Sequence, residues 1–198
     1  MNVAIVDYGT GNLHSLAKAF EAGGASVRIE QDLAAVAQAD AIVLPGVGAF
    51  GAAAARLAPG ADALRQTLAA GRPCLGICLG MQLLFEGSEE GEGHGLGIFE
   101  GNVRRLQTRR VPHMGWNDVA PDTADPLFEE GAFTAYYANS YVVEPGESTD
   151  VLAWTSYDGL HFPAAVRRQN VWGVQFHPEK SGAAGLRLLD RFLRQARR

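Results

Sequence analysis

Gly76-Ile77-Cys78-Leu79-Gly80-Met81-Gln82 follows the apolar run Cys74-Leu75 and precedes Leu83-Leu84-Phe85-Glu86, whose composition predicts a helix. A reactive side chain with glycines two before and two after it, between a strand and a helix, has the form of a nucleophile elbow. Only small residues fit beside so sharp a turn, which holds the nucleophile strained and exposed. A cysteine there gains electrostatic help, because the N-terminus of the following helix favours a thiolate. Cys78 is the expected nucleophile, and the rest of the chain has to supply its partners.

Upstream of the elbow, strand-like and helical runs alternate. Val3 to Val6 is apolar, and Asp7-Tyr8-Gly9-Thr10-Gly11 is a glycine-punctuated loop. Asn12 is expected to cap a helix with Leu13, Leu16, Ala17 and Phe20 on one face. A second strand is read over Ala25–Ile29, Asp32 caps a short alanine-rich helix, and Ala41–Leu44 is a third strand leading into Pro45-Gly46-Val47-Gly48. Helical sequence from about Gly51 to Ala70, broken near Pro59-Gly60, leads to the elbow strand. Bare apolar runs without alternation predict a parallel sheet covered on both faces. Downstream, Gly87 to Gly97 reads as loop. Short runs at Val103–Leu106, Phe133–Tyr137, Val142–Val143, Val151–Thr155, Ala164–Arg168 and Val171–Phe176 suggest appended antiparallel strands. Ser181 opens a final helix with Leu186, Leu189, Phe192 and Leu193 as its apolar stripe. The expected class is α/β: a flavodoxin-like, three-layer α/β/α fold with a mostly parallel sheet and an antiparallel section in the C-terminal half.

At 198 residues the chain is expected to be one domain, 1–198, with room for a sizeable core. A net charge of -5 gives no electrostatic reason to expect nucleic acid or an anionic membrane as partner. No apolar run approaches the roughly 18 residues of a membrane helix, and the N-terminal run lacks the basic segment of a signal peptide. Two cysteines, one of them in the elbow, fit a reducing cytoplasm better than a disulfide framework.

A thiol nucleophile needs a base, and the base an orienting group. His177 ends the last strand-like run and is followed by Pro178-Glu179. In extended backbone residues two apart face the same side, so Glu179 could hold the imidazole. The elbow and His177 both lie at strand C-terminal ends, where a doubly wound sheet forms its ligand crevice. Acyl chemistry also needs oxyanion donors: the amide of Leu79 is one candidate, and the Pro45–Gly48 loop, around Val47, is the source of the second. Cys74 reads as a small buried apolar residue. His14, His94 and His161 have no metal-ligand partner at useful spacing, so no metal and no cofactor is expected. Gly9-Thr10-Gly11 lacks the features of a nucleotide loop. Read this way, the residues support acyl transfer or hydrolysis by a Cys/His/Glu set.

Taken in chain order, Pro45-Gly46-Val47-Gly48, Gly76–Gln82 and Gln175-Phe176-His177-Pro178-Glu179 resemble the class I (triad) glutamine amidotransferases across essentially the whole chain. Tyr8–Asn12, Pro112-His113-Met114-Gly115-Trp116-Asn117 and Tyr136–Tyr141 are most similar to the branch that feeds a cyclase in histidine biosynthesis. The resemblance implies glutamine as substrate, a thioester on Cys78, protons shuttled by His177, and Glu179 as its orienter. It implies substrate contacts at Gly46, Gly48, Gln82, Ser140 and Tyr141, and a (β/α)8-barrel cyclase subunit as partner. It places Asn12, Met114, Trp116, Tyr136 and Lys180 near that interface. Asn139 departs from the family pattern, which has histidine before Ser-Tyr. Rival readings on the same scaffold are the glutaminase of a pyridoxal phosphate synthase, a γ-glutamyl hydrolase, or a non-catalytic binding module.

Overall fold

The four strand-like runs up to the elbow form parallel strands in the computed structural model, which describes residues 1–9 and 13–198. They are β1 (Asn2–Val6), β2 (Ser26–Glu30), β3 (Ala41–Leu44) and β4 (Cys74–Ile77). Then follow β5 (Gly87–Ser88), β6 (Gly101–Arg105), β7 (His113–Pro121), β8 (Phe133–Asn139), β9 (Tyr141–Pro145), β10 (Val151–Tyr157), β11 (Leu160–Arg168) and β12 (Val171–Val174). The main sheet runs β2-β1-β3-β4-β12-β11-β10-β7-β8, and a smaller sheet runs β5-β6-β9. β12 inserts parallel to β4, with Val171 opposite Cys74 and Val174 opposite Ile77. The strands beyond it are antiparallel. The mostly parallel sheet with an antiparallel extension agrees with the sequence expectation.

The alternation in β1 and β3 explains why these runs are wholly apolar. Val3, Ile5, Ala41 and Val43 enter one core, and Ala4, Val6, Ile42 and Leu44 enter the other, on the opposite face. On the first face pack α1 (His14–Ala22) and, at the end of the chain, α6 (Gly182–Ala196). On the other pack α2 (Leu33–Ala37), α3 (Phe50–Leu57) and α4 (Ala61–Ala69). A 3-10 turn at Ala58–Gly60 separates α3 from α4 where Pro59-Gly60 predicted a break. Asp32 caps α2 as expected, accepting from the Ala34 N–H at 2.9 Å. Asn12, expected as the cap of α1, lies outside the described residues. No helix among the described residues is long and apolar enough to cross a membrane.

Four local expectations are corrected. α5 is a single turn, Leu79–Gln82, and Leu83–Glu86 are turns rather than helix, because Leu96, Gly97, Ile98 and Phe99 donate to backbone carbonyls of Leu83, Leu84 and Phe85. β7 spans a stretch not predicted as strand, since Pro112 and Gly115 mask the alternation there. β12 stops at Val174, short of Phe176. Leu186 is 49% exposed; the buried face of α6 is Gly185, Leu188, Leu189, Phe192 and Leu193. That face is centred on a glycine because a Cβ at Gly185 would overlap the Pro178 carbonyl oxygen.

Phe192 is fully buried and stacks edge-on against Phe20 at 6.2 Å and Trp172 at 5.9 Å. Phe192→Ala is expected to lower unfolding free energy by about 3–5 kcal/mol. Leu186→Ala should change it by less than about 0.5 kcal/mol. Urea unfolding of the two variants checks which face of α6 is buried.

Candidate active site

At the end of β4 the chain turns into α5 through Cys78, whose backbone has φ 48 and ψ -105. That conformation is sparsely populated for a side-chain-bearing residue and persists only where surroundings impose it. Here two backbone bonds do so: Cys78 N–H donates to Val174 O at 2.7 Å, and Cys78 O accepts from Gln82 N–H at 3.1 Å. The flanking glycines make room. A Cβ at Gly76 would stand 2.6 Å from Gly80 O, and one at Gly80 would overlap the Leu44 carbonyl at the end of β3. The elbow predicted from the glycine spacing is therefore present, although the helix behind the thiol is one turn long.

His177 reaches the thiol from the segment after β12. Its N–H donates to Tyr136 O at 2.8 Å, and its Nδ1 hydrogen-bonds Glu179 Oε1 at 2.9 Å. The pairing is as expected, but the backbone is not. Pro178–Lys180 is a 3-10 turn, so a tight turn rather than an extended run brings Glu179 back under the imidazole. Glu179 Oε2 is buried without a hydrogen-bond partner, so the carboxylate's one strong contact is the ring. Burial of His177 alone would favour the neutral ring. Hydrogen bonds to Cys78 and Glu179 outweigh it and raise the pKa from 6.5 to about 9. With Nδ1 turned to Glu179, Nε2 is the nitrogen that serves the sulfur. The arrangement sets the ring between the Glu179 carboxylate and the Cys78 sulfur.

Gly46 closes the third side. A Cβ there would lie 2.8 Å from Ile77 O and 3.0 Å from both Cys78 Cβ and His177 Cε1. Gly48 has φ 124, a left-handed value that favours glycine. The Pro45–Gly48 loop therefore lies directly against Cys78 and His177. Leu79 is the first residue of α5, so its N–H has no acceptor within the helix.

A cavity of about 310 Å³ opens over Cys78. It is lined by Gly46, Val47, Gly48, Cys78, Leu79, Gln82, Ser140, Tyr141 and His177. Every residue expected at the oxyanion and substrate positions is thus brought to one place. Its volume is at the low end of ligand pockets and suits an amino-acid-sized molecule. Ser140 and Tyr141 reach it because Leu106 N–H donates to Ser140 O at 2.9 Å, tying the β8–β9 corner to the end of β6. Lys180, expected at a partner interface, lines the cavity too.

Glu90, which the sequence reading missed, is also on the wall; its Oε2 accepts from Phe50 N–H at 2.8 Å, at the start of α3. Nothing in the Gly- and Glu-rich loop distinguishes Glu90 from Glu89 or Glu92. Asn139 lines the cavity as well, with its Nδ2 donating to Tyr141 O at 3.0 Å and its Oδ1 buried without a partner.

Of the other expected interface residues, Met114 and Trp116 are 63% and 60% exposed. Trp116 meets Tyr136 edge-on at 6.2 Å, and Lys180 Nζ lies 6.0 Å from the same Tyr136 ring. An exposed aromatic patch thus adjoins the cavity mouth through Lys180. Asn12 lies outside the described residues. Cys74 is fully buried and its thiol is pushed well up by burial, which fits an inert core residue. His113 is stacked between Tyr137 and Tyr157, and burial pushes it down to about 4. Among the described residues no group of three His, Cys, Asp or Glu side chains could hold a metal ion.

Residues 4–196 match the family model of glutamine amidotransferase class-I. Curated relatives described as imidazole glycerol phosphate synthase subunit HisH match over nearly full length. The protein from Symbiobacterium thermophilum is 51% identical, covering 94% of this chain and 91% of its own length. Those from Thermococcus kodakarensis and Gloeobacter violaceus are 49% and 46% identical, covering 97% and 98% of this chain and 99% and 90% of their own. Among solved structures, a glutamine amidotransferase at 23% identity superposes with a TM-score of 0.78, covering 98% of this chain and 99% of its own.

The raised pKa of His177 has a defined sign. The stability gained from its charged form is complete below about pH 6.5 and is lost as pH rises through about 9. Imidazole ¹⁵N chemical shifts should show the ring charged at neutral pH, and Glu179→Gln should lower its midpoint. A ring neutral at pH 7 in the native chain would contradict the ion pair.

Proposed function

Because the chain belongs to the class-I glutamine amidotransferases, we propose that Cys78, His177 and Glu179 carry out its hydrolysis of glutamine to glutamate and ammonia. The ammonia serves imidazole glycerol phosphate synthase in histidine biosynthesis; relatives of 46% and 51% identity are described as that synthase's subunit HisH. The observation that carries the assignment is the His177 ring, hydrogen-bonded to Glu179 and packed with Cys78 against Gly46 at a cavity of amino-acid size.

The Cys78 thiolate attacks the side-chain amide carbon of glutamine, and the carbonyl oxygen takes up the negative charge. The N–H groups of Leu79 and Val47 are the donors that receive it. His177, already charged, gives its Nε2 proton to the leaving nitrogen, and ammonia departs as the carbonyl re-forms in a thioester. His177, now neutral, takes a proton from water as the water attacks the thioester. Collapse of the second oxyanion expels the thiolate and releases glutamate. Glu179 keeps Nδ1 occupied throughout, so that Nε2 stays aimed at the reacting atoms.

Gly46, Gly48, Ser140 and Tyr141 contribute backbone to the substrate site. The amide nitrogen of Gln82 already donates to Tyr141 O at 3.2 Å, so its offer to substrate is its side-chain oxygen, which suits an ammonium. Glu90, the carboxylate on the cavity wall, is the charged partner for that same ammonium. We also assign Met114, Trp116, Tyr136 and Lys180 to the contact with the synthase's other subunit, a (β/α)8-barrel cyclase, and place the complex in the cytoplasm.

Glutamate release by the chain mixed with the cyclase subunit tests the reading. Cys78→Ala should abolish it and Cys74→Ala should leave it largely intact. Equal loss in both, or activation by a pyridoxal phosphate synthase partner in place of the cyclase, would refute it. Trp116→Ala should weaken association with the cyclase by about 30-fold, as expected for an aromatic anchor worth about 2 kcal/mol. Calorimetric titration measures it.

A further inference from the structure

Gln175 is wholly buried, does not line the cavity, and takes no part in the steps above. Its backbone N–H donates to Ala164 O at 2.9 Å, which fixes the residue beside the elbow. Its side chain lies between two groups of the site. Nε2 donates to Cys78 Sγ at 3.5 Å, and Oε1 accepts from Gln82 Nε2 at 3.3 Å.

The direction of these bonds is not arbitrary. Tyr141 O can only accept, and it receives Gln82 Nε2 at 3.2 Å and Asn139 Nδ2 at 3.0 Å. Gln82 must therefore turn its NH₂ toward Tyr141, and the same NH₂ meets Gln175. Gln175 must then present its oxygen to Gln82 and its NH₂ to the sulfur. A flipped Gln175 would set NH₂ against NH₂ and an amide oxygen against a thiolate.

We infer that Gln175 is a second hydrogen-bond donor to the Cys78 thiolate, alongside His177, and that the Tyr141 carbonyl sets its polarity through Gln82. This rests on the reading of Cys78 as nucleophile. The other charged groups around the sulfur are His177 and Glu179 beyond β12, and Glu90 and Lys180 on the cavity wall. None of them is hydrogen-bonded to the Gln175 side chain, whose bonds are to Cys78 and Gln82. A donor to the thiolate favours its formation and also tempers its nucleophilicity, which gives its loss a distinctive signature.

The probe is hydroxyethyl disulfide, which forms a mixed disulfide with the thiolate and releases one mercaptoethanol, followed against pH with the modified residue identified by mass. In Gln175→Met the profile should move up by about one pH unit, as for loss of one bond to a charged group. With a Brønsted slope near one half, the reaction should be about threefold slower at the foot of the profile and about threefold faster at its plateau. Gln82→Leu, which frees Gln175 to turn over, should move the profile the same way by a smaller amount, and this readout does not depend on glutamine binding. A folded Gln175→Met with the wild-type profile would overturn the inference. Should that variant fail to fold, an unmoved profile in Gln82→Leu would overturn it. Modification at a residue other than Cys78 would overturn both this inference and the nucleophile assignment, and so is distinguishable from failure of the inference alone.

Discussion

A Cβ on Gly80 would run into the carbonyl oxygen of Leu44, the last residue of β3, and one on Gly76 would stand 2.6 Å from Gly80 O. The first turn of α5 can therefore lie against the end of the neighbouring strand only because neither residue has a side chain. That approach forces the single residue between strand and helix into φ 48. Such backbone costs on the order of 1–3 kcal/mol. The Cys78 bonds to Val174 and Gln82, together with burial of α5, offset it. The result places a thiol at the carboxyl ends of β3, β4 and β12, where the loop from β3 and the segment after β12 also arrive. Gly46 completes the packing by letting the β3 loop lie against both sulfur and imidazole. Glycines after β3, in β4 and in the first turn of α5 thus bring Cys78, His177 and the Pro45–Gly48 loop to one cavity.

The same geometry governs the electrostatics. His177 is nearly as buried as the core around it, and burial by itself would strip its charge. Its positive charge survives because two hydrogen-bonding partners are held on the two ring nitrogens. Neither partner alone defines the state: Glu179 occupies Nδ1, and the Cys78 sulfur adds to its effect in holding the charge. This is the opposite outcome to His113, which is equally buried but flanked by Tyr137 and Tyr157 rings and driven neutral. Burial is common to both residues, so the neighbours decide.

How much of this was legible in sequence follows from what each feature depends on. The elbow depends on glycine spacing within a few residues, and the sheet depends on apolar runs, so both could be read directly. The His177–Glu179 pair was found through a mistaken backbone, because proline is compatible both with extended chain and with the first position of a 3-10 turn. Leu186 was misassigned because the contact face of α6 is centred on Gly185, a residue that carries no apolar signal. The contacts of Glu90, Asn139 and Gln175 were out of reach for a different reason. Each is defined by an unsatisfied atom or a partner distant in the chain, such as Cys78, 97 positions from Gln175. No local pattern encodes such contacts.

The antiparallel extension, which gives the sequence its weakest periodic signal, supplies the frame that holds the base. Tyr136 in β8 accepts from His177 N–H at 2.8 Å and donates its own N–H to Ser181 Oγ at 2.9 Å. Ser181 Oγ in turn donates to His177 O at 2.7 Å. Ser181, read from sequence as the start of the last helix, makes no side-chain cap and instead closes this ring of bonds. The Tyr136 side chain meanwhile lies beside exposed Trp116 and under Lys180. One residue therefore has its backbone bonded to the base and its ring on the outer patch. The patch and His177 are joined there by one backbone–backbone hydrogen bond and two bonds to the Ser181 hydroxyl. Tyr136 is thereby a short connection between the exposed patch beside Trp116 and Lys180 and the buried imidazole of His177.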